Sequence, residues 1–162
     1  MSATESDRGA MRRAARLAAV QALYQWDLTA APIGEIEREF ITFRLDAEEK
    51  SGAVDRVFFT QILRGAAGEC QSIDPMIAGA LTTGWSVERL DRVLRAILRA
   101  GVFELWRRSD VPPGAVINEY VEIAHAFFTG PEPGLINAVL DRLASLLREA
   151  GGEPAPPGDV TG

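Results

Sequence analysis

The sequence predicts an all-α fold of about seven helices. Three observations carry this. Apolar residues recur at helical spacing in successive stretches that prolines and glycines separate, and no segment shows sustained strand alternation bounded by hairpin signals. The third is the stretch SVERLDRVLRAILRAGVFELWRR, Ser86 to Arg108, with no proline and one internal glycine. At about 100° per residue, Leu90, Leu94, Ile97, Leu98, Gly101 and Leu105 share one face, and Val93 and Val102 widen it to roughly 180°. A helix with so broad an apolar arc must be covered by several neighbours, so it is the expected core helix. Ser86 suits its N-cap, Glu88 its first turn, and Arg107 and Arg108 its C-terminal end.

The other elements follow in order. Residues 1–9 are small and polar and read as a flexible arm. A helix starts at Ala10, with Leu17, Val20, Tyr24 and Leu28 as its stripe, and ends before Pro32. Ile33, Ile36, Phe40 and Phe43 mark a second, shorter helix, and DAEEKSG is a polar connection. Val54, Val57, Phe58, Ile62 and Ala66 give a third. Asp74-Pro75 reads as an N-cap followed by proline at the first helical position, with Met76, Ile77 and Leu81 buried behind it. After the core helix, Ser109 to Gly114 is a loop; Ile117, Val121, Ala124 and Phe128 form the next helix. TGPEPG breaks it, and Ile136, Val139, Leu140, Leu143 and Leu147 form the last. Residues 10–150 are expected as one domain and 151–162 as a disordered tail, because GGEPAPPGDVTG has too little apolar surface to fold.

Composition narrows the chemistry. With 162 residues, 47 % apolar and 25 % charged, the chain can build one soluble domain with a real core. It carries no apolar run of membrane length and no leader pattern, so no membrane association is expected and the cytoplasm is the expected compartment. Cys70 and His125 are the only residues of their types, which excludes a disulfide framework and a four-ligand Cys/His zinc site. No phosphate-binding glycine loop or dinucleotide fingerprint occurs. No nucleophile has a base and an orienting partner in pattern, so no catalytic residue, metal or cofactor is expected. His125 reads as an ordinary, partly exposed histidine and Cys70 as a packing residue.

The charged groups are more informative. The net charge is −6, so any nucleic-acid site must be a local basic patch on an acidic body. Arg8, Arg12, Arg13 and Arg16 form such a cluster, at a helix N-terminus that disfavours cations, and suggest a phosphate-binding strip. Arg92, Arg95 and Arg99 form a row opposite the apolar arc. This reads first as the polar face of the core helix, with Asp91 and Arg95 able to pair, and Arg95 and Arg99 are secondary candidates for RNA. Glu104 falls inside the apolar arc and needs a charged or hydrogen-bonding partner there.

Four collinear stretches resemble the NusB family of transcription antitermination factors: RRAARLAAVQALYQWDL, ERLDRVLRAILRAGVFEL, VPPGAVINEYVEIAHAF and LINAVLDRLA. They run from about Arg12 to Leu147. The resemblance implies a fold of two packed helical bundles. It implies a non-enzymatic adaptor that binds boxA-type single-stranded RNA with the ribosomal protein NusE and joins the RNA polymerase elongation complex with other Nus factors. It places the four N-terminal arginines on the RNA, and Tyr24, Leu94, Glu132 and Leu135 on the partner surface. Some positions depart from the family pattern. Leu94 stands where many members are acidic, Leu135 replaces a phenylalanine, Ala138 a glycine and His125 a lysine. Exposed Phe103 or Trp106 could serve self-association. Two competing readings are a helical protein-interaction module without RNA, and the NusB-like domain type of ribosomal RNA cytosine methyltransferases. For the second, no cofactor-binding domain follows Ala150.

Overall fold

A computed structural model of the chain describes residues 4–45, 54–82 and 84–149. The connection DAEEKSG and the C-terminal tail lie outside the described residues, as do residues 1–3. Seven α-helices are present among the described residues: α1 (Glu5–Thr29), α2 (Ile33–Glu39), α3 (Arg56–Gly68), α4 (Cys70–Ala80), α5 (Arg92–Arg107), α6 (Pro113–Phe127) and α7 (Glu132–Glu149). A π-helical segment, Phe40–Leu45, continues α2, and a 3-10 turn, Val87–Arg89, precedes α5.

Helix α5 is the shared wall of two bundles. Helices α1 and α3 pack on one side of it, and α4, α6 and α7 on the other. Leu90, Ile97, Gly101 and Leu105 are buried as the apolar arc predicts. Two glycines let neighbours come close. A Cβ on Gly65 of α3 would lie 2.1 Å from the Phe103 ring, and one on Gly101 would lie 3.0 Å from a Leu140 methyl. Phe103 and Trp106 are therefore interior residues, 8 % and 5 % exposed, and not a self-association surface.

Local boundaries depart from expectation for identifiable reasons. Helix α1 starts at Glu5, so residues 5–9 are not part of a flexible arm. Thr4 and Asp7 form a reciprocal capping box that satisfies the first turn. Helix α5 starts at Arg92, not after Ser86, because Leu90 is extended and the Asp91 carboxylate accepts from the Val93 and Leu94 amides. Helix α4 is already running when it reaches Asp74-Pro75. Asp74 is not a cap there; it faces Arg99. The π-helical spacing from Phe40 onward changes the phase of the second stripe and leaves Phe43 73 % exposed. Val57 of α3 also points out.

Of the stripe Leu17, Val20, Tyr24 and Leu28, Val20 alone belongs to the core face of α1. That face is built of Ala15, Ala18, Ala19, Val20, Ala22 and Leu23. Small side chains allow α3 and α5 to approach closely, and the larger apolar residues are left at the surface.

Candidate nucleic-acid and partner interfaces

The N-terminal edge of α1 faces the start of α6 across a groove of about 480 Å³, lined by Glu5, Arg8, Gly9, Arg12, Arg16, Asp55, Pro112, Ala115 and Glu119. Arg8 is exposed on its wall. The Arg12 guanidinium sits 4.7 Å over the Phe58 ring and 3.9 Å from Asp55, with its side chain 36 % exposed. Arg13 is 66 % exposed, and its Nε donates to both Glu119 oxygens, at 3.2 and 3.3 Å. Arg8 and Arg12 line this groove, and Arg13 lies across Glu119 from it, in a neighbouring groove with Ala115, Asn118 and Glu122.

Arg16 does not join them. Its side chain is 5 % exposed. Nε donates to Glu104 Oε1 at 2.9 Å and Nη2 to Oε2 at 2.6 Å, and the Tyr120 hydroxyl donates to the same Oε1 at 2.9 Å. Burial alone would lower the Arg16 pKa; the hydrogen bond and charge of Glu104 outweigh it, so the guanidinium titrates above its ordinary range. Burial, then the Glu104 charge, push the Tyr120 hydroxyl well above its usual value. The carboxylate inside the apolar arc thus has the partner it requires, and the assignment of Arg16 to RNA is corrected.

Arg95 and Arg99 are corrected likewise. Arg95 donates twice to Asp27 Oδ2, at 2.6 and 2.9 Å, and to the carbonyls of Val87 and Glu88. Arg99 makes a two-pronged pair with Asp74 at 2.7 and 2.9 Å. Both side chains are 11 % exposed. They tie α5 to α1 and α4 and have no open face for a phosphate. Arg95 pairs with Asp27 and not with Asp91, which caps its own helix.

A second groove, of about 380 Å³, runs along the other half of α1. It is lined by Val20, Gln21, Tyr24, Gln25, Leu28, Phe40, Arg44, Val93 and Phe127. Tyr24 is 36 %, Leu28 50 % and Phe127 43 % exposed. Leu94 is 1 % exposed, so it is core and not a partner contact. One residue along a helix turns the side chain by about 100°, and Val93 is the residue that α5 presents to the groove. Leu135 and Glu132 stand on the first turn of α7, half-buried, and do not line it.

Sequence reasoning missed Glu119, Val93 and Phe127 as surface components. The pairing of Glu119 with Arg13 spans 106 residues and has no local signature. The inward turn of Arg16 did have one. Ala19, Val20 and Leu23 follow it at helical spacing, so Arg16 falls inside an apolar arc as Glu104 does.

A sequence model of the NusB family matches residues 13–145. The transcription antitermination protein NusB of Mesorhizobium japonicum is 50 % identical over 144 residues, covering 86 % of this chain and 92 % of that protein. The NusB protein of Caulobacter vibrioides is 50 % identical over 141 residues, covering 85 % and 95 %. This chain belongs to the NusB family. Solved structures agree in fold. NusB of T. maritima superposes with a TM-score of 0.70 at 29 % identity, over 88 % of this chain and 93 % of that one. A second NusB chain, crystallised with NusE and double-stranded RNA, gives 0.71 at 26 % identity, over 88 % and 99 %. Among the described residues of this NusB family member, no helix is long and apolar enough to cross a membrane.

Proposed function

We propose that this chain is an RNA-binding transcription antitermination factor. It binds boxA-type single-stranded RNA together with NusE and joins the elongating RNA polymerase with other Nus factors in the cytoplasm. It works as an adaptor and not as an enzyme. The observation that carries the reading is the outward row Arg8, Arg12 and Arg13 on a chain of net charge −6. An acidic body repels RNA, so these local cations supply the attraction to the phosphates. Phosphate contacts position a strand and do not read it. Base selection therefore falls to other groups, including those of NusE.

The Tyr24 groove is the proposed seat for NusE. Its open apolar side chains offer area to bury, and Tyr24 brings a hydroxyl to the rim. Leu135 and Glu132 would touch the partner only at the margin of this surface. The test is fluorescence anisotropy with a boxA and a scrambled oligonucleotide, each with and without NusE. The expected result is salt-dependent binding of both RNAs by the chain alone, with boxA preferred once NusE is added. Binding of NusE with no affinity for either RNA would replace this reading with a protein-interaction module.

A further inference from the structure

We propose that Glu119 is a positioning residue for RNA binding, holding Arg13 in the orientation that a phosphate needs. The inference rests on the RNA reading above and adds a residue to it. A carboxylate beside an RNA groove would ordinarily weaken binding, because it repels phosphate. Glu119 is placed where it can do the opposite. Its side chain is 17 % exposed, on the ridge of α6 between two grooves. Both oxygens accept from Arg13 Nε, and one lies 3.5 Å from Nη1 of the buried Arg16. Arg16 is itself fixed by Glu104, so Glu119 is anchored from the interior side. No hydrogen bond to the two Nη groups of Arg13 is present among the described residues. An arginine gripped at Nε keeps its four terminal N–H donors for a phosphate, in the fork geometry that favours bidentate contact. Ordering that long side chain in advance also removes part of the entropy cost of binding.

Two effects of opposite sign can therefore be separated. If Glu119 acts only as a charge, its removal strengthens RNA binding. If it positions Arg13, Glu119→Ala weakens binding about fivefold, despite the more favourable net charge, as expected for losing one ordered charge-assisted contact. Glu119→Gln keeps an acceptor for Nε and loses the repulsion, so it binds as tightly as the parent chain or tighter. Arg13→Ala with Glu119→Ala is no weaker than Arg13→Ala alone, since coupled residues do not add. Nitrogen-15 spectra give a readout independent of RNA. The Arg13 Nε–Hε signal should be resolved in the parent and in Glu119→Gln, and broadened by exchange in Glu119→Ala. The proposal is overturned if Glu119→Ala binds RNA as well as the parent, if the double substitution is additive, or if the Arg13 signal is indifferent to Glu119. A parent chain with no RNA affinity at all overturns the RNA reading as well.

Discussion

Arg13 and Arg16 stand three positions apart on α1, yet one side chain is 66 % exposed at the groove and the other is 5 % exposed against Glu104. The outer edge of the helix is held by two carboxylates, Asp55 and Glu119, and by the Phe58 face. The inner seam is built on Arg16, Glu104 and Tyr120, from α1, α5 and α6, with Glu119 3.5 Å from Arg16 at its outer end. The same residue type thus builds a site in one place and a joint in the other, and what decides is the helical phase. Phase also separates Val93, at the Tyr24 groove, from Leu94, in the core.

The seam gives the largest expected effects. Glu104→Ala removes the two-pronged partner of the buried Arg16 and leaves it only the longer 3.5 Å contact with Glu119, and should cost about 3–5 kcal/mol in urea unfolding. Replacing the pair together, Arg16→Met with Glu104→Leu, should recover most of that, because a buried ion pair is often matched by apolar residues of similar volume. A single Glu104→Ala loss below about 1 kcal/mol would mean that the interior is wetter than the geometry says.

Leu94 and Tyr24 sharpen the second contrast. Leu94→Ala should cost about 2–5 kcal/mol by opening a cavity, and should lower NusE affinity only in proportion to unfolding. Tyr24→Ala should cost under about 1 kcal/mol of stability, as expected for a surface change, and should lower NusE affinity at least tenfold. Calorimetry of each variant, in unfolding and in NusE titration, separates the two. The contrast fails if the Leu94 variant is fully stable and loses the partner.

The smallest effect belongs to the pair Arg108–Asp110 at the mouth of the loop before α6. The hydrogen bond from Arg108, at 3.0 Å on both oxygens, lowers the Asp110 carboxyl to about 2. A depressed carboxyl contributes stability that is full above its ordinary titration range and is lost as pH falls through about 2. Asp110 is 59 % exposed, so the contribution stays under about 1 kcal/mol. Asp110→Asn should therefore unfold slightly more easily than the parent near neutral pH, with the difference closing below pH about 4. A difference that widens in acid would reverse the sign of the interaction.

Much of this was legible in the residues. The apolar arc of Ser86 to Arg108 requires a covered helix, and α5 is covered on both sides. Glu104 within that arc requires a partner, and it has one. The partner itself was not legible, since Arg16 lies 88 positions away and pairs across helices. Arg95 and Arg99 looked like a solvated row because Asp27 and Asp74 come to them only through the packing of α1 and α4. The stripe of Leu17, Val20, Tyr24 and Leu28 marked a helix but not its buried side, because period alone does not say which of two faces is covered. Alanines on the other face took the interior, since close helix approach favours small side chains.

The most direct test is the salt dependence of RNA binding in three chains: the parent, Arg12→Ala with Arg13→Ala, and Arg95→Met. The account assigns the phosphates to the outer edge of α1 and the fold to the inner arginines. Each phosphate contact contributes about 0.7 to the slope of log K against log salt on single strands. The double substitution should therefore flatten the slope by about 1.4, equally on boxA and scrambled RNA. Arg95→Met should lose stability and keep the parent slope. A flattened slope in Arg95→Met, with the double substitution unchanged, would contradict the account and move the RNA to the α5 face.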